Sequence, residues 1–149
     1  MTEYPSHNRL DPSSLPRPTL LVVEDDPQLM GMLQIVLKGA GFDVVLAWDG
    51  RQALDTLARA QREEVPVDLV MMDLNMPVMD GRECLRQLGH RGHRVPVLLL
   101  SGDPLDDLEE DLLNRVAGLL QKPVGLRTLL GQVRRILEQG GQAERLTPH

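Results

Sequence analysis

Short apolar runs alternate with longer amphipathic stretches along most of the chain. Five of these runs are rich in Val and Leu and only four to six residues long, which is typical of strands covered on both faces. They occupy residues 19–23, 42–47, 67–72, 96–100 and 118–121. We therefore predict five buried strands, each followed by a helix.

The stretches between the runs place apolar residues at the spacing of a helix that is buried along one side. In the first stretch these residues are Leu29, Leu33, Val36, Leu37 and Ala40, and in the last they are Leu126, Leu129, Leu130, Val133, Ile136 and Leu137. Asp26 is suited to cap the first helix and Pro27 to begin it. Five strand–helix pairs predict an α/β fold in which a parallel sheet lies between two layers of helices.

The two ends of the chain lack this alternating pattern. Residues 1–18 are polar and contain four prolines, so we predict a flexible tail that buries too little apolar surface to offset its ordering entropy. A pair of glycines typical of a helix end opens residues 140–149, where we predict a second flexible tail. The intervening residues 19–139 are enough for one domain, and we expect no effector domain in this sequence.

Composition narrows the functional class. The formal net charge of −6 argues against nucleic-acid binding, which needs a basic surface. Cys84 is the single cysteine, which excludes an internal disulfide and fits a reducing cytoplasm. No apolar run approaches the length of a membrane span, and no signal-peptide pattern opens the sequence. We therefore expect a cytoplasmic protein that binds neither nucleic acid nor membrane.

Acids, a hydroxyl and an amine stand at the ends of the predicted strands. Glu24 and Asp25 follow the first strand, Asp73 the third, Ser101 the fourth and Lys122 the fifth. The carboxyl ends of parallel strands share one edge of the sheet, so we expect these side chains to lie close together. Clustered carboxylates repel one another, and a hard cation such as Mg²⁺ removes that cost. An Asp carboxylate is also a covalent phosphoryl acceptor in known phosphoryl-transfer chemistry.

Each of these residues has an ordinary structural explanation when it is taken alone. An acid after a strand can simply cap a helix, Asp73 can belong to a turn near Pro77 and Gly81, and a lone lysine is usually solvated. The occurrence of all of them at successive strand ends favours the functional interpretation.

Four stretches resemble the receiver domain of two-component response regulators. They are residues 21–27 (LVVEDDP), 73–81 (DLNMPVMDG), 100–102 (LSG) and 122–123 (KP), and they follow the family's order and spacing over about residues 19–138. The resemblance implies the doubly wound, flavodoxin-like (βα)5 fold, a five-stranded parallel sheet with strand order 2-1-3-4-5.

The resemblance also implies a phosphorylation site that depends on a metal. Asp73 would accept a phosphoryl group from a histidine kinase or a phosphotransfer protein, with Mg²⁺ or Mn²⁺ as the cofactor. Asp25 would bind the metal directly, Glu24 through water, and Asn75 through its backbone carbonyl, with Asp73 as a further ligand. Such a protein is a signalling switch that catalyses only its own phosphorylation and dephosphorylation.

Lys122 and Ser101 would carry the switch itself. Lys122 would pair with the Asp73 carboxylate and then with the phosphoryl group, while Ser101 would hydrogen-bond a phosphoryl oxygen and draw the following loop with it. The sequence departs from the family at Leu119, where most members have Tyr or Phe, and at Glu24, where Asp is commoner. We expect phosphorylation to be retained, but the coupled ring rotation that usually accompanies it in the family cannot occur with Leu119.

The expected partners are a histidine kinase or phosphotransfer protein and an unknown output protein. A stand-alone receiver would take part in phosphorelay signalling and would regulate the output protein by direct contact. A homodimer through the fourth and fifth helices is a further hypothesis, since their predicted faces have opposite charges, although a charge run can also be only a solvated surface. The charged residues are Asp106, Asp107, Glu109, Glu110 and Asp111 in the fourth helix and Arg127, Arg134 and Arg135 in the fifth.

Two other functions remain open. A receiver-like adaptor could bind its partners without phosphorylation, and Leu119 keeps that hypothesis open. An aspartyl-phosphate phosphatase would use a similar set of groups, but it needs a second acid two residues after its nucleophile, where this chain has Asn75.

Overall fold

The computed structural model describes residues 17–102 and 109–146, and within these ranges it contains five strands and five helices. In chain order they are β1 (Thr19–Val23), α1 (Pro27–Gly39), β2 (Asp43–Ala47), α2 (Gly50–Arg62), β3 (Leu69–Asp73), α3 (Gly81–His90), β4 (Val97–Ser101), α4 (Glu110–Leu113), β5 (Gly118–Gln121) and α5 (Leu126–Leu146). The strands form one parallel sheet in the order β2-β1-β3-β4-β5, which confirms the predicted fold. Most of the predicted N-terminal tail, together with Asp106 and Asp107, lies outside the described residues.

The ends of β3 and β4 differ slightly from the prediction, and the difference bears on the site. Each strand extends one residue beyond its apolar run, so that Asp73 and Ser101 are the last residues of their strands. Asp73 lies opposite Leu100 in the register of the sheet, and Ser101 lies opposite Gln121. Sheet pairing rather than a loop therefore positions the backbone of both residues.

Successive strand residues pack into two cores, one on each face of the sheet. On one face they pack against α1 and α5, and on the other against α2, α3 and α4. The first core contains Leu20, Val22, Leu33, Leu37, Phe42, Leu69, Met71, Leu98, Leu100, Leu129, Val133 and Ile136. The second contains Leu21, Val23, Ala47, Ala53, Leu54, Leu57, Val70, Met72, Leu74, Cys84, Leu85, Leu88, Val97, Leu99 and Leu112. Because side chains alternate between the two faces, the central strands need the near-continuous apolar runs seen in the sequence.

The first three helices begin at the carboxyl edge of the sheet, and an aspartate caps each one. The carboxylate of each accepts a hydrogen bond from a backbone N–H two or three residues later: Asp26 from Gln28 at 3.0 Å, Asp49 from Gln52 at 2.9 Å, and Asp80 from Glu83 at 3.0 Å. Caps of this kind stabilise a helix by about 1 kcal/mol. The predicted cap at Asp26 is confirmed, and its carboxylate serves the helix rather than the neighbouring acids.

The last helix continues past the glycine pair at which we predicted its end. α5 runs to Leu146 and includes both Gly140 and Gly141, so the predicted helix end is wrong. A glycine in a helix costs only about 1 kcal/mol relative to alanine, and helix-forming residues follow the pair. The domain boundary at residue 139 and the flexible tails stay predictions. Neither α5 nor any other helix in the described ranges has the length and apolar character of a membrane span.

The rate at which the Cys84 thiol is chemically labelled tests the native packing between α2 and α3. Its side chain is 1% exposed within the core of α2 and α3, and burial raises the pKa of the thiol to about 12. We expect a thiol-specific reagent in mildly alkaline buffer to label the native protein far more slowly than the protein in denaturant, as followed by intact mass. Rapid stoichiometric labelling of the native protein would contradict this packing.

Candidate functional site

The register of the sheet places Glu24 beside Asp73. Val23, the last residue of β1, pairs with Met72 of β3, so the residues that follow these two in the chain are both acids at the carboxyl edge. Glu24 is 1% exposed and Asp73 is 6% exposed. Two carboxylates thus lie almost fully buried at neighbouring strand ends, where each disfavours the charge of the other.

The carboxylate of Asp73 is held from two sides. Its Oδ2 accepts a hydrogen bond from Lys122 Nζ at 2.8 Å, and its Oδ1 accepts one from the backbone N–H of Asn75 at 3.1 Å. The first contact supplies a positive charge from the end of β5, and the second comes from the loop that follows Asp73 itself. Both oxygens are therefore fixed in orientation at the edge of the sheet.

Glu24 shares the same ammonium. Its Oε1 lies 3.4 Å from Lys122 Nζ, and its Oε2 accepts a hydrogen bond from the backbone N–H of Asp26 at 3.1 Å. Burial raises the pKa of Glu24; the Asp26 N–H opposes this effect, and the charge of Asp73 adds to it. On balance the pKa of Glu24 is raised, so a further positive charge would favour its ionised form.

Lys122 is the cation of this cluster. Burial by itself would lower the pKa of Lys122, but the hydrogen bond and charge of Asp73, followed by those of Glu24, raise the pKa on balance. The side chain is 27% exposed and carries its charge at neutral pH. Its backbone N–H donates to the carbonyl of Ser101 at 2.7 Å, so the predicted hydroxyl residue adjoins the lysine along the same edge.

Three carboxylates in this cluster could hold a metal ion. Glu24, Asp25 and Asp73 each offer an oxygen, and these oxygens lie within 4.8 Å of one another. Asp25 is exposed whereas the other two acids are buried, so a bound ion would face solvent on the side of Asp25. Hard cations such as Mg²⁺ and Mn²⁺ prefer oxygen ligands, and Mg²⁺ keeps several waters, so the donor set fits such an ion.

Gly81 allows the start of α3 to lie close to the end of β3, a contact that the sequence analysis did not predict. A Cβ atom at residue 81 would lie 2.8 Å from the Cα of Leu74 and 2.9 Å from the carbonyl oxygen of Asp73. The absence of a side chain lets the start of α3 approach the end of β3, where the N–H of Gly81 donates to the Leu74 carbonyl at 2.7 Å. The Asp80-Gly81 pair, which is typical of a turn, is the sequence signal for this close approach.

The loop between Asp73 and α3 contains a strained residue. Val78 has a φ of 66° and is 83% exposed. A left-handed conformation costs a non-glycine residue about 1–2 kcal/mol, and a β-branched side chain is especially unsuited to it. Nothing in the sequence pattern indicated this conformation.

Comparison with known proteins identifies the family. The model of the response regulator receiver domain matches residues 20–134, which is most of the chain and includes every residue of the cluster. The chain belongs to this family. Receiver domains of this family belong to two-component signalling systems, where they act as switches rather than as classical enzymes.

Curated relatives are response regulators of greater length. The receiver is 36% identical over 148 residues to the alkaline phosphatase synthesis transcriptional regulatory protein SphR of Synechococcus elongatus, covering 92% of this chain and 55% of the relative. It is 36% identical over 127 residues to the response regulator MprA of Mycolicibacterium vanbaalenii, covering 80% of this chain and 50% of the relative. The chain thus spans about half the length of the curated relatives it matches.

Solved structures show the same fold. The signal receiver domain of a putative LuxO repressor protein from Vibrio parahaemolyticus superposes with a TM-score of 0.76. The two sequences are 23% identical, and the match covers 90% of this receiver and 100% of that chain. This likeness confirms the architecture.

Replacing Val78 with glycine should stabilise the receiver. Val78→Gly removes a conformational cost of about 1–2 kcal/mol and adds a smaller loss of backbone entropy, so we expect the free energy of unfolding to rise by up to about 1 kcal/mol in chemical denaturation. Val65→Gly is the control, because Val65 is also exposed but has no positive φ, and it should lower the stability. Equal losses in both variants would show that Val78 is not strained.

Proposed function

We propose that this receiver accepts a phosphoryl group on Asp73 from a histidine kinase or a phosphotransfer protein. We further propose that the reaction requires Mg²⁺ or Mn²⁺ and switches contact with an output protein. The observation that carries the proposal is the position of the Asp73 carboxylate, 2.8 Å from the Lys122 ammonium and within 4.8 Å of oxygens of Glu24 and Asp25. The arrangement combines a nucleophile, a cation and oxygen ligands for a metal.

In the proposed reaction, a carboxylate oxygen of Asp73 forms a bond to phosphorus. The bond between phosphorus and a histidine nitrogen of the donor breaks, and the imidazole leaves with that electron pair. Glu24, Asp25 and Asp73 would hold a divalent cation, which would supply charge neutralisation for the transferred oxygens. Lys122 keeps a fixed positive charge beside the acceptor, so its ammonium can pass from the carboxylate to a phosphoryl oxygen without large reorganisation.

Ser101 would transmit the change. It is the last residue of β4, it is 1% exposed, and its carbonyl accepts the N–H of Lys122. A move of its hydroxyl toward the phosphoryl group would shift the start of the loop that follows. Leu119 packs, partly buried, against the core of α2, α3 and α4, so no aromatic ring is available at that position to follow Ser101. The output route would therefore use movement of Ser101 and Gly102 rather than rotation of a ring.

The surface of α1 supports kinase docking. Ile35 is 74% exposed and Met32 is 43% exposed, whereas Met30 is buried in the core. The two exposed side chains give α1 an apolar surface that a partner helix could cover. A homodimer through α4 and α5 stays a prediction. In α5, Arg127 and Arg134 are exposed, but the guanidinium of Arg135 donates to the Ala117 carbonyl at 3.1 Å.

Incubation of the protein with acetyl phosphate and Mg²⁺ tests the acceptor. We expect intact-mass spectrometry to detect one added phosphoryl group on the wild type and none on Asp73→Asn, because the amide is not a nucleophile for phosphorus. Asp55→Asn is the matched control, since Asp55 is an exposed acid of α2 away from the site, and it should be phosphorylated like the wild type.

The same experiment distinguishes the adaptor hypothesis. A beryllofluoride complex, detected by fluorine NMR, would reveal an acceptor site whose phosphoryl group hydrolyses too quickly for mass spectrometry. If the wild type forms neither the adduct nor this complex in the presence of Mg²⁺, the receiver does not accept phosphate and acts as a phosphorylation-independent adaptor.

Variants of the adjacent residues Asp25 and Asp26 distinguish an acid that would bind metal from one that caps a helix. Two unit charges about 4 Å apart interact with an energy of about 4 kcal/mol at an effective dielectric of 20. Asp25→Asn removes such an attraction to a bound cation, so it should weaken Mg²⁺ binding in calorimetric titration by at least about tenfold. Asp26→Asn makes the same change of charge one residue later, and asparagine caps a helix as well as aspartate does, so this variant should bind Mg²⁺ nearly as the wild type does. Equal losses in both variants would show only a general effect of charge.

A further inference from the structure

A cleft lies at the amino edge of the sheet, opposite the edge that carries Asp73. It has a volume of about 340 Å³ and is formed by the end of α3, the loop into β4 and the loop between α4 and β5. Small-molecule sites in proteins typically occupy about 300–1,000 Å³, so the cleft is large enough for a small ligand. Since β4 rises about 3.3 Å per residue, the length of that strand separates the cleft from Ser101 by roughly 13 Å.

The wall of the cleft is apolar. Leu85 and Leu88 of α3 are buried beside Val97, and Val95 and Val116 are partly buried there. Aliphatic side chains of this kind favour an apolar group in contact with them over water.

The rim of the cleft is positively charged. Arg94 and Arg115 are exposed lining residues, and within the described parts of the chain neither one forms an ion pair. None of the described residues that line the cleft is acidic. Two uncompensated guanidinium groups are notable in a protein with a net charge of −6, and guanidinium binds carboxylate and phosphate with matched hydrogen bonds.

Two further residues of the lining add hydrogen-bonding groups beside the arginines. Asn114 contributes a side-chain amide, and His93 contributes an imidazole. Burial and the nearby charge of Arg91 lower the pKa of His93, so the imidazole is neutral at neutral pH and can donate one hydrogen bond. The positive charge of the cleft therefore belongs to its arginines.

We propose that this cleft is a second binding site, for a small organic anion. Its carboxylate or phosphate group would pair with Arg94 and Arg115, and its apolar part would pack against Leu85, Leu88 and Val116. Neither component alone accounts for the cleft, because a bare inorganic anion would leave the apolar wall uncovered and a neutral apolar molecule would leave the arginines unpaired. The proposal is independent of phosphorylation at Asp73.

NMR titration of the isotope-labelled full chain tests the proposal with three probes. Phenylphosphonate combines a dianion with an apolar ring, inorganic phosphate lacks the ring, and benzyl alcohol lacks the charge. We expect phenylphosphonate to shift the amide signals of Val95, Arg115 and Val116 in a saturable manner. Each of the other two probes should bind at least about tenfold more weakly, because it loses either the apolar contact or the charge-assisted hydrogen bonds.

Two variants test the role of the guanidinium groups. Arg115→Gln should weaken phenylphosphonate binding by about tenfold or more, as expected for a lost charge-assisted hydrogen bond. Arg59→Gln is the matched control, because Arg59 is an exposed arginine of α2 that does not line the cleft, and binding to this variant should be unchanged.

Gly89→Ala provides a variant that should keep the fold while it moves the arginine. A Cβ at Gly89 would lie 2.7 Å from Arg115 Nη1, so the flexible end of Arg115 must move away. Alanine is also the better helix former by about 1 kcal/mol, so the stability should not fall. We therefore expect weaker phenylphosphonate binding with an unchanged or higher unfolding midpoint.

Several outcomes would overturn the proposal. They are the absence of saturable shifts with phenylphosphonate, shifts centred on residues around Asp73 instead of the cleft, equal binding of inorganic phosphate, and binding to Arg115→Gln that matches the wild type.

Discussion

The shared ammonium of Lys122 is the interaction on which the carboxyl edge of the sheet depends. Three carboxylates with oxygens within 4.8 Å of one another face one cation, so the cluster keeps two negative charges in excess when all its groups are ionised. Two like charges about 4 Å apart cost about 4 kcal/mol at an effective dielectric of 20, and one lysine cannot offset every such pair. An additional positive charge would therefore stabilise the cluster, and a transferred phosphoryl group would need that charge as well.

The sheet makes this costly arrangement possible because it leaves the acids little freedom to separate. Asp73 belongs to a strand that is buried on both faces, and the next backbone N–H along the chain, that of Leu74, donates to the Leu100 carbonyl at 2.9 Å. Glu24 is similarly fixed, since its own N–H donates to the Ala47 carbonyl at 3.0 Å. The two packed cores provide the stability with which the fold offsets the repulsion between these acids.

The sequence predicts the strands well because burial on both faces requires a local, continuous apolar run. It also places Asp73 and Lys122 at one edge, because strand polarity alone brings their positions together. It does not predict that Lys122 reaches Glu24 as well as Asp73, since that contact depends on the register between strands far apart in the chain. The φ of Val78 is unpredictable for a related reason: the surrounding loop imposes a conformation that the residue itself disfavours. The end of α5 was mispredicted because a glycine pair lowers helix propensity without forbidding a helix.

The acidic site and the basic cleft lie at opposite edges of the sheet, and the same strands connect them. β4 begins with Val97 in the wall of the basic cleft and ends with Ser101 at the acidic site. β5 follows Ala117 of the cleft and leads to Lys122. If a ligand in the cleft prefers one position of the α4–β5 loop, that preference acts on the same strand that carries the lysine. Such coupling would be reciprocal. If a ligand in the cleft changed the affinity of the acidic site for a metal by some factor, a bound metal would change the affinity of the cleft for that ligand by the same factor. Such coupling along β4 and β5 would connect the two ends of the receiver without an aromatic ring at position 119.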